Sequence, residues 1–275
     1  MLELRVTLLQ TKVYTDKMKN IEEAAKYLEI AAKDKADIVT LPEMFNCPYK
    51  ASNFPVYAEP EGGESWQALS NLAKKYGVYL SAGSMPESDE KGNTYNTAYV
   101  FDRTGVQIAK HRKMHLFDIN VEGGQSFKES DTLTAGKQIT VFDTEFGKMG
   151  LCVCYDMRFP ELARLMALNG AKVIIVPGAF NMTTGPAHWD IMFRCRALDN
   201  QVYTIGTSPA RDEASGYISW GHSMIVSPWG EVLRQLDEKE GYINFTLDLK
   251  YVERVRKELP LLLHRRTDIY KLEEK

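Results

Sequence analysis

The sequence predicts an α/β protein built as a four-layer α-β-β-α sandwich of two pseudo-symmetric halves. Three observations predict it. Strand and helix signals alternate along the chain, the habit of sheets flanked by helices. The order of those signals then runs a second time. Finally, three pieces correspond between the runs: ADIVTLPEMF with AKVIIVPGAF, GVYLSAGS with QVYTIGTS, and TAYVFDRTGVQIAK with HSMIVSPWGEVLRQ. A duplication of this length is too long in period for a solenoid. Two such halves, each with one apolar sheet face, bury those faces against each other and leave helices outside.

In the first half, Leu4 to Leu9 reads as a short apolar strand. Thr15-Asp16 offers a helix cap, and Ile21, Ala25, Leu28 and Ala32 recur on one helical face. Ile38 to Leu41 is a strand stopped by Pro42-Glu43, and a helix follows over about Ser65–Lys75. Strands come next near Val78–Ser84 and Thr97–Phe101, the latter joined through Asp102-Arg103-Thr104-Gly105 to Val106–Ala109 as a hairpin.

In the second half, Met149 to Tyr155 is a strand and Pro160 to Leu168 a helix ending at Asn169-Gly170. Proline near a helix start and glycine beyond its end is the expected asymmetry. Val173 to Val176 is a strand stopped by Pro177-Gly178, followed by a helix over about Ala187–Leu198. Strands follow near Val202–Thr207 and Met224–Ser227, and Pro228-Trp229-Gly230 turns into Glu231-Val232-Leu233. With no linker in sight, residues 1–275 form a single domain. The tail, about 251–275, reads as a helix and an extended arm whose Pro260-Leu-Leu-Leu263 run asks for cover, as from a partner subunit.

Composition narrows the function classes. With 44% hydrophobic and 26% charged residues the chain is an ordinary globular sequence, and its formal charge of −3 gives no pull toward nucleic acid or anionic membrane. No apolar run approaches the ~18 residues of a membrane span, and the N-terminus lacks a signal-peptide layout. Cys47, Cys152, Cys154 and Cys195 are expected as free thiols in a reducing cytoplasm.

Three segments place a reactive group where a strand gives way to a loop, the usual station of catalytic groups in α/β proteins. In Gly150-Leu-Cys-Val-Cys-Tyr-Asp-Met-Arg-Phe-Pro-Glu161, Cys154 stands at the strand exit and Cys152 one pleat deeper, as a small core residue. A helix start beside Cys154 favours its thiolate, and the Tyr155 N–H is placed to meet an oxyanion. Glu43, directly after an apolar strand, is poorly solvated and suits a general base. Lys113, in His111-Arg-Lys-Met-His-Leu-Phe-Asp118, can bring a positive charge to the other two. His111 and His115 have the i, i+4 spacing of metal ligands, but they follow a strand and lack a carboxylate at zincin spacing, so no metal is expected. A Cys–His pair with His188 or His222 stays open at this point, whereas serine-elbow, P-loop and dinucleotide fingerprints are absent.

LPEMF around Glu43, HRKMHLFD around Lys113 and GLCVCYDMRFPE around Cys154 resemble the three signature segments of the nitrilase, or carbon–nitrogen hydrolase, superfamily. GAFNMTTGPAHW, RALDNQVY, TSPARD and GHSMIVSPWGE narrow the resemblance to its omega-amidase branch, where Cys152 is often glycine. The resemblance implies a Glu-Lys-Cys triad on an αββα fold that dimerises, or assembles further, into a longer stack. It makes Glu43 the base, Lys113 the cationic stabiliser and Cys154 the nucleophile. A second glutamate is implied as well, Glu129 ahead of Glu122. The implied reaction is hydrolysis of the ω-amide of a small dicarboxylate, such as 2-oxoglutaramate or 2-oxosuccinamate, through a Cys154 thioester and without a cofactor. Tyr49, His115, Arg158 and Thr184, each beside a signature segment, are the candidates to hold the substrate's carboxylate. Arg158 has the alternative of bracing Asp156 or Glu161, and His188-Trp189 reads as structural. The rival functions are an amidase for deaminated glutathione or N-carbamoyl amines, and a catalytically silent scaffold of the same fold.

Overall fold

The structure is a computed structural model and describes residues 3–275. The first half runs β1 (Glu3–Gln10), α1 (Lys17–Lys33), β2 (Ile38–Thr40), a short α2 (Phe54–Tyr57), α3 (Glu64–Tyr76), β3 (Tyr79–Ser81), β4 (Met85–Ser88), β5 (Thr94–Phe101) and β6 (Gln107–Arg112). A small hairpin, β7 (Asp118–Asn120) and β8 (Ser126–Lys128), leads into the second half. There follow β9 (Thr140–Thr144), β10 (Gly147–Leu151), α4 (Pro160–Leu168), β11 (Val173–Pro177), α5 (Gly185–Asn200), β12 (Tyr203–Thr207), β13 (Met224–Val226) and β14 (Val232–Gln235). β15 (Gly241–Asp248) and α6 (Leu249–Glu258) complete the chain's regular elements among the described residues.

The pairing of strands shows the duplication. β1, β2 and β3 are parallel neighbours, with β5 antiparallel beside β3 and β6 hairpinned onto β5. In the second sheet β10, β11 and β12 are parallel neighbours, with β13 antiparallel and β14 hairpinned onto it. Each half also carries an antiparallel strand on the other flank: β9 against β10, and the late strand β15 against β1. These two flanking strands, β4 and the β7–β8 hairpin are elements that the periodicity of the sequence did not single out. The α1 cap is as expected, with the Asp16 carboxylate accepting from the Met18 and Lys19 N–H groups. Its buried stripe takes Ala24 and Ala31 rather than Ala25 and Ala32.

Period two along the strands divides the core. Leu4, Val6, Leu8 and Ile38 face the second sheet and pack with Leu151, Val173, Ile175 and Ile205. Their neighbours Leu9 and Val39 turn the other way, onto Ile21 and Leu28 of α1 and Leu69 and Ala73 of α3. α4 and α5 cover the outer face of the second sheet through Leu162, Met166, Trp189 and Phe193. Where the sheets meet, Thr40 of β2 and Thr207 of β12 share a hydrogen bond of 2.6 Å, each satisfying the other's buried hydroxyl. The parallel strands of both halves therefore release their loops side by side, and the candidate residues travel on those loops.

Candidate active site

Cys154 stands on a sharper corner than a simple strand exit. β10 ends at Leu151, Cys152 still bonds across to Ile175 at 3.2 Å, and Cys154 then opens a 3-10 turn, Cys154–Arg158, at φ +49°. A left-handed non-glycine residue costs about 1–2 kcal/mol and persists only where its surroundings over-determine it. The surroundings here are the Asp156 carboxylate. It accepts from Val153 N–H (3.0 Å) and His111 Nε2 (2.9 Å) on one oxygen, and from Met114 N–H (3.2 Å), His115 N–H (2.8 Å) and His115 Nδ1 (2.7 Å) on the other. One buried anion thus fastens the Cys154 corner to the segment that carries Lys113. The predicted strand Met149–Tyr155 is shortened accordingly.

Glu43 leaves β2 just before Met44, itself left-handed at φ +49°. Its carboxylate is fully buried. Oε1 accepts from Lys113 Nζ (2.9 Å), Asn96 Nδ2 (2.9 Å) and Tyr49 Oη (3.3 Å), and Oε2 accepts from the Ala179 N–H (2.8 Å). Lys113 follows β6 with its N–H donated to Asn96 O at 2.8 Å, and its ammonium also reaches Glu129 Oε1 at 2.9 Å. Glu129 is held in turn by Tyr49 Oη (2.6 Å) and the Phe117 N–H (2.7 Å). Glu122, the other candidate for that position, lies exposed on the hairpin turn. Gly136 shows how closely the chain wraps Lys113: a Cβ there would fall 2.0 Å from the Arg112 carbonyl oxygen.

An aromatic wall closes the site. Tyr49 stacks on Tyr217 at 4.4 Å, Phe127 packs against both, and Tyr217 Oη donates to Ala179 O at 2.6 Å. Beside this wall a small cavity of about 30 Å³ has Glu43, Tyr49, Pro209 and Tyr217 among its lining residues.

Burial in this pocket works against every charge in it. It opposes the Lys113 ammonium, yet the Glu129 and Glu43 carboxylates outweigh it and hold Lys113 above the ordinary lysine value. Burial raises Glu129, and Lys113 only partly offsets it. Burial likewise pushes the Cys154 thiol well up, the neighbouring Glu43 carboxylate pushes it further, and Lys113 pulls it down. A helix start was expected to favour the thiolate; burial and Glu43 work the other way here, and Glu43 is the carboxylate beside the thiol.

Of the residues singled out in the sequence, the structure brings together Glu43, Tyr49, Lys113, Glu129 and Cys154. The Tyr155 N–H, early in the 3-10 turn, has no hydrogen-bond partner among the described residues. Arg158 braces neither Asp156 nor Glu161, because the Asp156 oxygens are already taken by the two histidines and three backbone N–H groups. Its guanidinium instead lies over Phe180 (4.8 Å) and Tyr155 (5.6 Å), with Cys154 and Tyr217 among the titratable groups that bear on it. His115 is turned away from the carboxylate pocket, bonded to Asp156 and stacked on Phe159 at 3.7 Å. Thr184 is buried and donates to Asn181 Oδ1 at 3.1 Å, a bond that shapes the start of α5. His188 meets Arg158 and His222 stacks on Trp220, so the Cys–His alternative has no partner for the sulfur. Asn96, Tyr217 and Asp156 belong to the site without having been singled out. Asp156 had a legible signal, a charge placed two residues past Cys154, whereas nothing local marks Asn96 or Tyr217.

Comparison with known proteins agrees over nearly the whole chain. The carbon–nitrogen hydrolase family model matches residues 5–257. Omega-amidase NIT2 of Xenopus tropicalis is 49% identical over 275 residues, covering 100% of this chain and 99% of that protein. Omega-amidase NIT2 of Homo sapiens is 46% identical with the same coverage. Among solved structures, Saccharomyces cerevisiae Nit3, a member of branch 10 of the nitrilase superfamily, superposes with a TM-score of 0.89 at 43% identity, covering 96% of this chain and 97% of that one.

Proposed function

The chain belongs to the carbon–nitrogen hydrolase family, and from that premise we propose that it is an omega-amidase, a thiol hydrolase of the ω-amides of small dicarboxylates such as 2-oxoglutaramate and 2-oxosuccinamate. The observation that carries the chemistry is the Lys113 ammonium held 2.9 Å from both Glu43 and Glu129 beside the buried Cys154 thiol. As Cys154 Sγ attacks the amide carbonyl, Glu43 takes the thiol proton, so no free thiolate need accumulate. The carbonyl oxygen becomes an oxyanion between the Lys113 ammonium and the Tyr155 N–H. Glu43 then returns its proton to the departing nitrogen, ammonia leaves, and a Cys154 thioester remains. Water, deprotonated by Glu43, attacks that thioester, and the acid departs as the sulfur regains its proton. Glu129 and Tyr49 keep Lys113 aimed throughout.

An acidic substrate needs a cation beyond Lys113. Two carboxylates and one ammonium leave the pocket at −1, and a carboxylate-bearing amide would be repelled without a further cation. Arg158, in reach of Cys154 and without an acidic partner among the described residues, supplies it. Tyr49, Phe127 and Tyr217 favour a short amide over a bulky one.

A second copy of the chain fits the exposed apolar tail. Leu259, Leu263, Ile269 and Tyr270 are 40%, 83%, 68% and 54% exposed, and Ile191 and Leu198 of α5 are 59% and 43% exposed. We assign this surface to a homodimer of single-domain subunits, with the tail packed on the partner. Four unpaired thiols suit a reducing cytoplasm, and no described helix is long and apolar enough to cross a membrane.

Ammonia release from 2-oxoglutaramate, with Cys154→Ala as control, tests the activity; release no faster than the control would leave a silent scaffold. Intact-mass spectrometry should catch an acyl adduct that maps to Cys154. A roughly 100-fold preference in kcat/KM for deaminated glutathione or an N-carbamoyl amine would reject the substrate class.

A further inference from the structure

We propose that His188 is a positioning residue for acidic substrates, accepting a hydrogen bond from Arg158 and so fixing the guanidinium edge that receives the substrate's distal carboxylate. The inference rests on the reading of Arg158 given above. It begins with α5, whose residues His188, Met192 and Arg196 recur at i, i+4 and i+8 and form one face of the helix. All three touch the Cys154 corner. Arg196 donates from Nε to Met157 O and from Nη2 to Arg158 O, both at 2.9 Å, and so pins the backbone of Arg158. Met192 Sδ and His188 Nδ1 both meet Arg158 Nη1, at 3.6 and 3.1 Å. The helix thus holds Arg158 at both ends of its side chain.

The direction of the Arg158–His188 bond is fixed by chemistry. Arginine has only donors, so Nδ1 must accept, and the ring is the neutral tautomer with its proton on Nε2. With Nη1 taken and the planar group lying over Phe180 and Tyr155, the guanidinium can offer its remaining edge. Nε on that edge is buried and has no partner among the described residues. A buried donor left empty is costly, and an Nε–Nη2 edge matches the two oxygens of a carboxylate. The substrate's carboxylate would take this unpartnered edge.

Protonation of His188 would remove the acceptor and put a second cation against Nη1. Partial burial and then the Arg158 guanidinium hold the ring below the ordinary histidine value, and Arg158 is the charged group that bears on it. Arg158 itself is held below the ordinary arginine value by burial, with Cys154, Tyr155 and Tyr217 as the titratable groups facing it. The contact is present at and above neutral pH and lost as pH falls through the lowered histidine value.

Steady-state kinetics on the full chain decide the matter, pairing 2-oxoglutaramate or succinamate with a neutral amide of equal length. His188→Ala should raise KM for the acidic amide about 3–10-fold, the worth of one such hydrogen bond, with kcat and the neutral amide little changed. In the wild type that KM should climb on the acid side of neutrality, while His188→Gln, whose Oε1 accepts without titrating, should give a flat profile. Unchanged KM in His188→Ala, or an equal rise for both amides, would overturn the proposal. Arg158→Met separates the two readings. If it leaves the preference for the acidic amide intact, the role of Arg158 itself falls. If it abolishes that preference while His188→Ala does nothing, only the role of His188 falls.

Discussion

Lys113 shows what a single residue does in this pocket, since it is the one ammonium between two buried carboxylates 2.9 Å away on either side. Lys113→Ala should lower kcat by about 100–1000-fold, the usual cost of losing one oxyanion donor. It should also destabilise the fold, because Glu43 and Glu129 would be left buried without their counter-charge, typically about 3–5 kcal/mol. Parallel kinetics and urea titration check both effects; full activity in a stable variant would remove Lys113 from the mechanism. Legibility at this scale divides by what each side chain faces. Glu43, Lys113 and Cys154 were readable because each ends a strand on the same side of the sheets, and strand order decides where they go. The bonds of His115 to Asp156 and of Thr184 to Asn181 were not legible, because sequence gives proximity along the chain but not the direction of a rotamer. Tyr217 comes to Tyr49 from 168 residues away, a pairing that no local pattern encodes.

The elements carry their own tests. α3 ends in Gly77 and α5 in Gln201, the matching positions of GVYLSAGS and QVYTIGTS, and both residues are left-handed C-caps. Nothing crowds Gly77, so Gly77→Ala should cost only the conformational penalty of about 1 kcal/mol. Gly206 on β12 differs, for a Cβ there would stand 2.5 Å from Phe193 Cζ, under α5. Gly206→Ala should therefore cost more, about 1–3 kcal/mol from overpacking, and thermal melts of the two variants should rank them in that order. The Cys154 corner contributes a pH dependence. Burial alone would raise Asp156, but its bonds to His111 and His115 and to backbone N–H groups hold it below the usual carboxylate range. Its unfolded value is near 3.9, so the stability it contributes is present above about pH 4 and lost as pH falls toward the folded value. Melts between neutral and strongly acid pH should show that loss, and Asp156→Asn should flatten it while lowering the melting temperature at neutral pH. The parallel strands and their helices were legible from apolar runs and caps. The flanking strands β9 and β15 were not, since a flanking strand is defined by its neighbour rather than by a distinctive run of its own.

At the scale of the molecule, two sheets press their inner faces together and the tail is left outside with its apolar side chains uncovered. A chain ending at Glu258 should keep the fold and shift from dimer toward monomer in analytical ultracentrifugation. An unchanged sedimentation coefficient per subunit assembly would place the interface elsewhere. The duplicated strand order also explains why one site results from two similar halves. Only the first half places Glu43 after its second strand; at the matching position of the second half stands Gly178, where a Cβ would fall 3.2 Å from Trp189 Cζ3.

The sequence by itself determined the alternation of strands and helices, the repeat, the family and the three reactive groups, because these depend on periodicity and on short segments that keep their chemistry wherever they fold. Only the tertiary structure decided which glutamate joins Lys113, that burial raises the Cys154 thiol, that Asp156 ties the Cys154 corner to the Lys113 segment, and that Arg158 is held by α5 with an edge free. Those outcomes depend on burial and on distances of about 3 Å between groups far apart in the chain, and such distances exist only once the two sheets have closed on each other.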